Sequence, residues 1–174
     1  MSGPSTSPLG STAPMSDDLA ARFRAAFAAD LAATTPLTLR QADAIDSYGS
    51  ASSSDSSLDA ISDGYLEKYA SGLPHLDPVS WRHYLPAFAD FALRHLDSPS
   101  IAVGSLIDSL RPPDRVPPRL ASLTAIQEAL VLEFLELLAF SADSAWQREA
   151  CQALEDWWGG KPLFRAKAGE TGAA

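Results

Sequence analysis

The apolar and polar positions along this chain repeat with the period of an α-helix. Apolar side chains recur at spacings of three and four residues, which places them on one face of a helix. Runs that alternate between apolar and polar residues, as a half-buried strand requires, are absent from the sequence. The fold class predicted is therefore all-α, an irregular bundle of about six or seven helices. The helices are expected at about residues 17–33, 39–48, 63–71, 78–96, 99–110, 125–140 and 145–158.

Side chains that can cap a first helical turn indicate where these helices begin. A side-chain oxygen at the cap position accepts a hydrogen bond from a backbone N–H group that has no partner within the helix. Glycines such as Gly72 mark helix ends. The expected caps are Ser16, Thr38, Asp77, Ser98 and Thr124.

Two of the predicted helices have unusual compositions. The helix at 125–140 is apolar on nearly all sides and is interrupted mainly by Glu133 and Glu136. A helix of this kind is usually surrounded by others, so we expect it at the centre of the bundle. The helix at 78–96 contains Pro86, which removes a backbone hydrogen bond and should kink or break the helix.

The chain is predicted to fold as one domain. Its 174 residues are enough to bury a core without disulfides or metals. The helical domain spans about residues 16–164 and includes a serine-rich loop at 49–57 that we expect to be flexible. Residues 1–15 are predicted to form a disordered tail, because ordering the backbone costs more free energy than burying its few apolar side chains returns. Residues 165–174 are expected to fray.

The chain is acidic, with a formal net charge of −9. This charge repels phosphate backbones and anionic lipids, so we predict no nucleic-acid binding and no membrane binding. The N-terminus lacks the basic and apolar regions of a secretory signal, and no apolar run reaches the roughly 18 residues that span a bilayer. The single cysteine, Cys151, does not require an oxidising compartment. These features predict a soluble, cytoplasmic protein.

Residues that could carry chemistry do not have the spacing of a known motif. His83 and His95 could share a helix, but they would then lie about 18 Å apart, too far to bind one metal ion. Cys151 lies beside an apolar stripe and has no evident base to activate its thiol. Phosphate-binding glycine loops and paired cysteines are absent from the sequence. We therefore predict no catalytic residues, no cofactor and no metal.

An alternative is a site assembled from residues that are distant in the sequence, because active sites form in space. Two carboxylates buried together would raise the pKa of one of them, as acid–base catalysis requires. The simpler alternative is that both glutamates reach a helix edge or pair with arginine. The candidates for an assembled site are His83, Asp90, Glu133 and Glu136.

The end of the last helix carries residues that could meet a partner. Adjacent helical residues point about 100° apart, so Trp158 should be partly exposed if Trp157 faces the core. Exposed tryptophans are enriched at interface hot spots. Lys161 and Arg165 follow the helix and could meet an acidic partner. The predicted partner-facing residues are therefore Trp158, Lys161 and Arg165.

The segment Trp81-Arg-His-Tyr-Leu-Pro-Ala-Phe88 resembles a motif of a bacterial family of small helical proteins of unknown function. The similarity covers most of residues 19–140. It implies a helical fold in which Tyr84 and Pro86 matter to the packing, and it supplies no catalytic residues. The other similar segments are Ala26-Phe27, Leu39 to Tyr48, Ser105 to Asp114 and Leu123 to Phe140.

The sequence leaves two functions open. The first is a non-enzymatic protein–protein interaction module, such as an adaptor, a regulator or an immunity-type protein. This hypothesis rests on the lack of catalytic motifs and on the acidity, which favours a basic protein partner. The second is an enzyme or metal-binding protein that uses dispersed His, Asp and Glu residues. The sequence makes no prediction of the oligomeric state.

Overall fold

The computed structural model describes residues 13–47, 49–50, 53–114 and 116–159. All regular elements in these ranges are helical, which confirms the all-α, irregular bundle. The α-helices are α1 (Ala13–Ala26), α2 (Ala28–Ala32), α3 (Leu39–Asp46), α4 (Asp63–Lys68), α5 (Pro78–Arg94), α6 (Ile101–Ser109), α7 (Ala125–Phe140) and α8 (Gln147–Ala153). The shorter elements are 3-10 helices at Ala70–His75 and Leu120–Ser122 and a π-helical turn at Leu154–Trp158.

The core forms where α5 and α7 pack against their neighbours. α5 contacts α1, α2 and α6, while α7 contacts α1, α8 and the π-helical turn. The ring of Phe23 in α1 stacks on Phe27 at 5.8 Å and meets the edge of Phe134 in α7 at 6.0 Å, between ring centroids. Burying one such side chain contributes about 2–3 kcal/mol to folding. The largest fully buried side chains include Phe23, Phe27, Trp81, Phe88, Phe134 and Trp158.

The capping signals at Thr38, Asp77 and Thr124 are confirmed. Each side-chain oxygen accepts a hydrogen bond from a backbone N–H of the first turn. Thr38 and Thr124 also form complete capping boxes, in which the glutamine three residues later bonds back to the backbone of the cap residue. These caps depend on residues within one turn, and their position is therefore visible in the sequence.

The other two predicted caps are wrong. α1 begins at Ala13, so Ser16 lies inside the helix, and residues 13–15 are helical instead of belonging to a disordered tail. α6 is capped by Ser100 and not by Ser98, because the Ser100 hydroxyl oxygen accepts the Val103 N–H at 3.2 Å. In α6 a second serine, two residues after the predicted cap, provides the hydrogen bond.

Two helices differ from expectation in their continuity. α5 runs without interruption through Pro86, as a single helix at 78–96 requires, so of the two predicted effects of this proline the break does not occur. The predicted helix at 17–33 is divided at Phe27, whose φ of −103° and ψ of 15° lie outside helical values. Helical hydrogen bonds continue on both sides of Phe27, from its N–H to Phe23 and from Leu31 to its carbonyl oxygen. The division is therefore a local departure from helical geometry at one residue, and α1 and α2 stay in contact.

The serine-rich segment contains a hydrogen-bonded turn. The Asp55 carboxylate accepts the backbone N–H groups of Ser57 at 2.8 Å and Leu58 at 3.2 Å. The Asp55 N–H in turn donates to Asp59 at 2.8 Å. The flexibility of 49–57 stays a prediction, as do the tails, since residues 1–12 and 160–174 lie outside the described ranges.

Glu67 connects α4 to the start of α6. Its carboxylate accepts hydrogen bonds from the Ser100 hydroxyl at 2.6 Å and from the backbone N–H groups of Ile101 at 2.9 Å and Ala102 at 3.2 Å. Burial acts to raise the pKa of the Glu67 carboxyl, but these hydrogen bonds outweigh burial and hold the pKa below its usual value. The negative charge thus stabilises the positive end of α6.

We expect Glu67→Ala to lower the free energy of unfolding by about 2 kcal/mol at neutral pH, because the first turn of α6 loses a charged acceptor. The folded pKa of Glu67 lies below the unfolded value of about 4.3. Its contribution is therefore complete above about pH 4.3 and disappears as the pH falls through the folded value. Urea unfolding of both proteins at pH 7 and at pH 3 should show the difference shrinking, and a difference that is equal at both would contradict this role.

Candidate interaction surface

Two candidates for an assembled site, Glu133 and Asp90, are half-buried carboxylates that pair with arginine. The Glu133 carboxylate accepts two hydrogen bonds from Arg22, both at 2.7 Å. Asp90 accepts one from Arg24 at 2.8 Å and one from Arg94 at 3.1 Å. These ion pairs join α1 to α7 and to α5, so both residues have a structural role.

The remaining candidates for an assembled site are also engaged elsewhere or exposed. The Nδ1 atom of His83 lies 3.1 Å from the carbonyl oxygen of Asp30, and Glu136 is exposed. Cys151 is half-buried. Within the described ranges, no group of three or more His, Cys, Asp or Glu side chains is arranged to hold a metal ion. The fold therefore does not assemble the predicted alternative metal site from these residues.

A buried polar cluster beside α3 also has a structural role. The Arg40 guanidinium donates to both carboxylate oxygens of Asp59, at 2.9 and 3.0 Å. Burial acts to raise the pKa of Asp59, but the hydrogen bonds and charge of Arg40, together with the backbone N–H of Asp55, outweigh burial and hold the pKa below its usual value. Burial raises the pKa of Tyr65, whose hydroxyl donates to Asp59 and accepts the Arg40 N–H. A second hydroxyl, that of Tyr84, accepts the N–H of Leu39, so the cluster fixes the start of α3.

Of the three residues predicted to face a partner, Lys161 and Arg165 lie outside the described ranges. The third, Trp158, is only 2% exposed. Its indole N–H donates a hydrogen bond to the carbonyl oxygen of Leu110 at 2.8 Å. The expected exposure of Trp158 is therefore wrong, and this side chain belongs to the core.

The π-helical turn explains the position of Trp158. The N–H of Gly159 donates to the carbonyl oxygen of Leu154 at 2.7 Å. This acceptor lies five residues back in the chain, whereas the acceptor in an α-helix lies four residues back. Each residue of this wider turn advances around the axis by a smaller angle than in an α-helix. Trp158 therefore reaches the core, while Trp157 is half-buried. No residue pattern in the sequence indicates this turn. The prediction from 100° per residue therefore places Trp157 in the core and Trp158 at the surface, the reverse of what the structure shows.

α7 packs against α1, α8 and the π-helical turn, as expected of a central helix, but the described residues leave one of its faces uncovered. Ile126 is 70% exposed and Phe140 is 74% exposed. Ala129 and Glu136 are also exposed, and Glu133 is half-buried. The spacing of three or four residues places all five on one side of the helix.

α1 runs antiparallel to α7 beside this face. The amide of Gln127 in α7 donates to the carbonyl oxygen of Ala26 at 3.2 Å, while Arg22, one turn earlier in α1, pairs with Glu133, further along α7. Between the two helices lies an open groove of about 580 Å³. Its walls are mostly small or apolar: Arg22, Ala25, Ala26, Ala125, Ile126, Ala129 and Leu130.

These residues form one surface, which we name the α1–α7 surface. Met15 is 56% exposed and lies seven residues before Arg22, while Phe140 lies seven residues after Glu133. In antiparallel helices these two positions lie at the same end, about 10 Å beyond the ion pair. The α1–α7 surface is defined by Met15, Asp18, Arg22, Ala25, Ile126, Ala129, Glu133, Glu136 and Phe140.

Three carboxylates and one guanidinium lie on the α1–α7 surface. Arg22 pairs with Glu133 and approaches Asp18 at 3.7 Å. Glu136 is exposed and makes no ion pair with the residues that the structure describes. The last turn of α7 contains no basic residue to offset the negative end of the helix dipole. The end of the surface around Glu136 and Phe140 therefore combines apolar side chains with negative charge.

The fold and this surface define a class of protein: a small, acidic, all-helical domain in which the described residues leave one face of α7 uncovered. The chain belongs to a family of unknown function, DUF6714, whose model matches residues 15–161. The family resemblance drawn from the sequence is thus confirmed at this level. No curated protein and no solved structure matches the chain. None of the helices in the described ranges combines the length and hydropathy needed to cross a membrane.

Proposed function

We propose that this protein is a cytoplasmic, non-enzymatic protein–protein interaction module that binds its partner through the α1–α7 surface. The observation that carries the proposal is the open face of α7. The sequence of α7 is apolar on nearly all sides, as in helices that are surrounded by others. The described part of the chain covers only one side of it, and a partner would cover the other.

The arrangement of the exposed apolar side chains supports this proposal. Single apolar residues on a protein surface are normal and need no partner. Here Ile126 and Phe140 lie on one helix face, and Ile126 lines a groove. Burying each of these side chains would contribute roughly 1.5–3 kcal/mol to association. An adaptor, a regulator and an immunity-type protein would all use such a surface.

We expect the double substitution Ile126→Ser and Phe140→Ser to abolish partner binding without affecting folding. Both side chains are largely exposed, so their loss removes contact area for a partner and little from the core. Affinity capture from a lysate of the source cells should recover a stoichiometric protein with the wild type and lose it with the double variant.

The matched control is Ile101→Ser. Ile101 is 64% exposed at the start of α6 and lies outside the α1–α7 surface. This variant should retain the captured protein, and thermal unfolding should show that all three proteins are equally stable. Retention of the same protein by the double variant would overturn the proposed use of this surface.

A further inference from the structure

We infer that the α1–α7 surface binds an amphipathic helix that carries a basic residue opposite Glu136, beside the apolar contact with Phe140. This inference rests on the proposed function and specifies the chemistry of the partner. It is drawn from the shape of the groove and from the charges around it.

The shape of the surface fits a helix better than an extended segment. The groove opens between two antiparallel helices at the start of α7, and the uncovered face of α7 continues from Ile126 to Phe140, which are 14 residues or about 21 Å apart. A partner helix of about four turns would reach both residues with an apolar stripe in which the i, i+3, i+4 and i+7 spacing repeats along its length. Alanines at positions 25, 26, 125 and 129 leave room for its larger side chains. The described elements are all helical and offer no strand edge on which an extended peptide could add.

The charges indicate a basic partner. Glu136 and Asp18 are exposed, and the only cation on the surface, Arg22, is already bound by Glu133 in two hydrogen bonds. The negative end of the α7 dipole adds to the attraction for a cation near Phe140. An acidic helix would meet these carboxylates without compensation, and like charges placed together at an interface are strongly unfavourable.

The same charges disfavour a second copy of this chain as the occupant. A two-fold contact is made by the same patch on both subunits. The carboxylates of Asp18, Glu133 and Glu136 would therefore meet their counterparts, with one arginine from each copy already engaged. A partner of opposite charge avoids this repulsion and gains electrostatic steering.

The test uses two synthetic helical peptides of about 18 residues with the same leucine stripe, flanked by lysine in one and by glutamate in the other. Affinities are measured by fluorescence anisotropy in about 0.1 M salt with the full chain. The lysine peptide should bind the wild type at least about ten-fold more tightly than the glutamate peptide. Glu136→Lys should weaken binding of the lysine peptide about five-fold or more, since it turns an attraction into a repulsion.

The matched control for charge is Glu155→Lys. Glu155 is exposed in the π-helical turn, outside the α1–α7 surface, and its reversal changes the net charge by the same amount. This variant should change the affinity by less than about two-fold, which separates a local contact from attraction to the whole acidic chain. Equal weakening by both reversals would overturn the inference.

The remaining outcomes distinguish failure of this inference from failure of the proposed function. If both peptides bind equally and both lose binding in the Ile126→Ser, Phe140→Ser variant, the surface binds helices but the basic contact is wrong. If that variant binds as well as the wild type, the surface itself is wrong. Sedimentation that shows a wild-type dimer, lost in the same variant, would identify a second copy as the occupant. Tighter binding of both peptides in the full-chain variant Lys161→Glu, Arg165→Glu would identify the chain's own C-terminal residues as the occupant, because the added negative charge alone would weaken the glutamate peptide.

Discussion

Replacing Gly72 by alanine should lower the free energy of unfolding by about 3 kcal/mol, a large part of the stability of a domain of this size. Gly72 is buried in the 3-10 helix Ala70–His75, where that helix packs against α3. A Cβ atom at this position would overlap the carbonyl oxygen of Leu39 and lie 2.6 Å from the backbone nitrogen of Asp43. Both atoms belong to the backbone of α3, so no change of rotamer can relieve the overlap and the two helices must separate.

The control for this prediction is Gly64→Ala in α4. A Cβ atom on Gly64 would have no neighbour within 4 Å, and none of the glycines that the structure describes has a positive φ. Alanine should therefore leave the stability unchanged or raise it by up to about 1 kcal/mol. Urea unfolding of the two variants and the wild type measures the contrast. Similar stability for both variants would contradict the close contact between Gly72 and the backbone of α3.

Gly72 shows which features of this fold a sequence can and cannot predict. In the sequence it is a helix-ending glycine, and the helix α4 does stop shortly before it. The reason that alanine is unsuitable there lies in α3, more than 25 residues earlier, and no local pattern contains this information. The caps at Thr38 and Thr124 were predictable because each involves residues within one turn. The cap that Glu67 provides for α6 was not, since it joins residues 33 to 35 positions apart.

The α1–α7 surface was predictable in part. The apolar residues on nearly all sides of α7 were visible in the sequence and led to the expectation that the helix lies at the centre of the bundle. Periodicity shows that a face is apolar, but it does not show whether the same chain or a partner covers that face. The structure separates the two cases, because Ile126 and Phe140 stay exposed while Phe134 and Leu135 enter the core. The face of α7 that the described residues do not cover is thus the main support for the proposed interaction.

From the sequence alone, Glu133 could be either a catalytic carboxylate or one partner of a simple ion pair with arginine. Its partner is 111 residues away in the chain, so only the packing of α1 on α7 could decide the question. Arg22 and Glu133 form two hydrogen bonds of 2.7 Å, which is the bidentate geometry of an arginine–carboxylate ion pair. The pair thus positions the two helices that form the surface. Because both side chains are nearly half exposed, screening by solvent keeps the pair's own contribution to stability small.

Replacing Trp158 by alanine should lower the free energy of unfolding by about 4 kcal/mol, while the same change at Trp157 should cost about 1–2 kcal/mol. Trp158 is 2% exposed and its indole N–H donates to the carbonyl oxygen of Leu110. Its loss would leave a large cavity and an unsatisfied carbonyl group at the end of α6. Trp157, one residue earlier, is only half-buried and leaves a smaller gap that water can enter.

Chemical unfolding of the two variants, followed by circular dichroism, tests the π-helical turn directly, because the residues are adjacent and identical in type. A regular α-helix from residue 147 onwards would place Trp157 in the core stripe with Ala150 and Ala153, and the order of the two effects would be reversed. A greater loss at Trp157 than at Trp158 would therefore show that the chain lacks the Gly159 to Leu154 hydrogen bond. It would also return Trp158 to the surface, where its side chain could meet a partner.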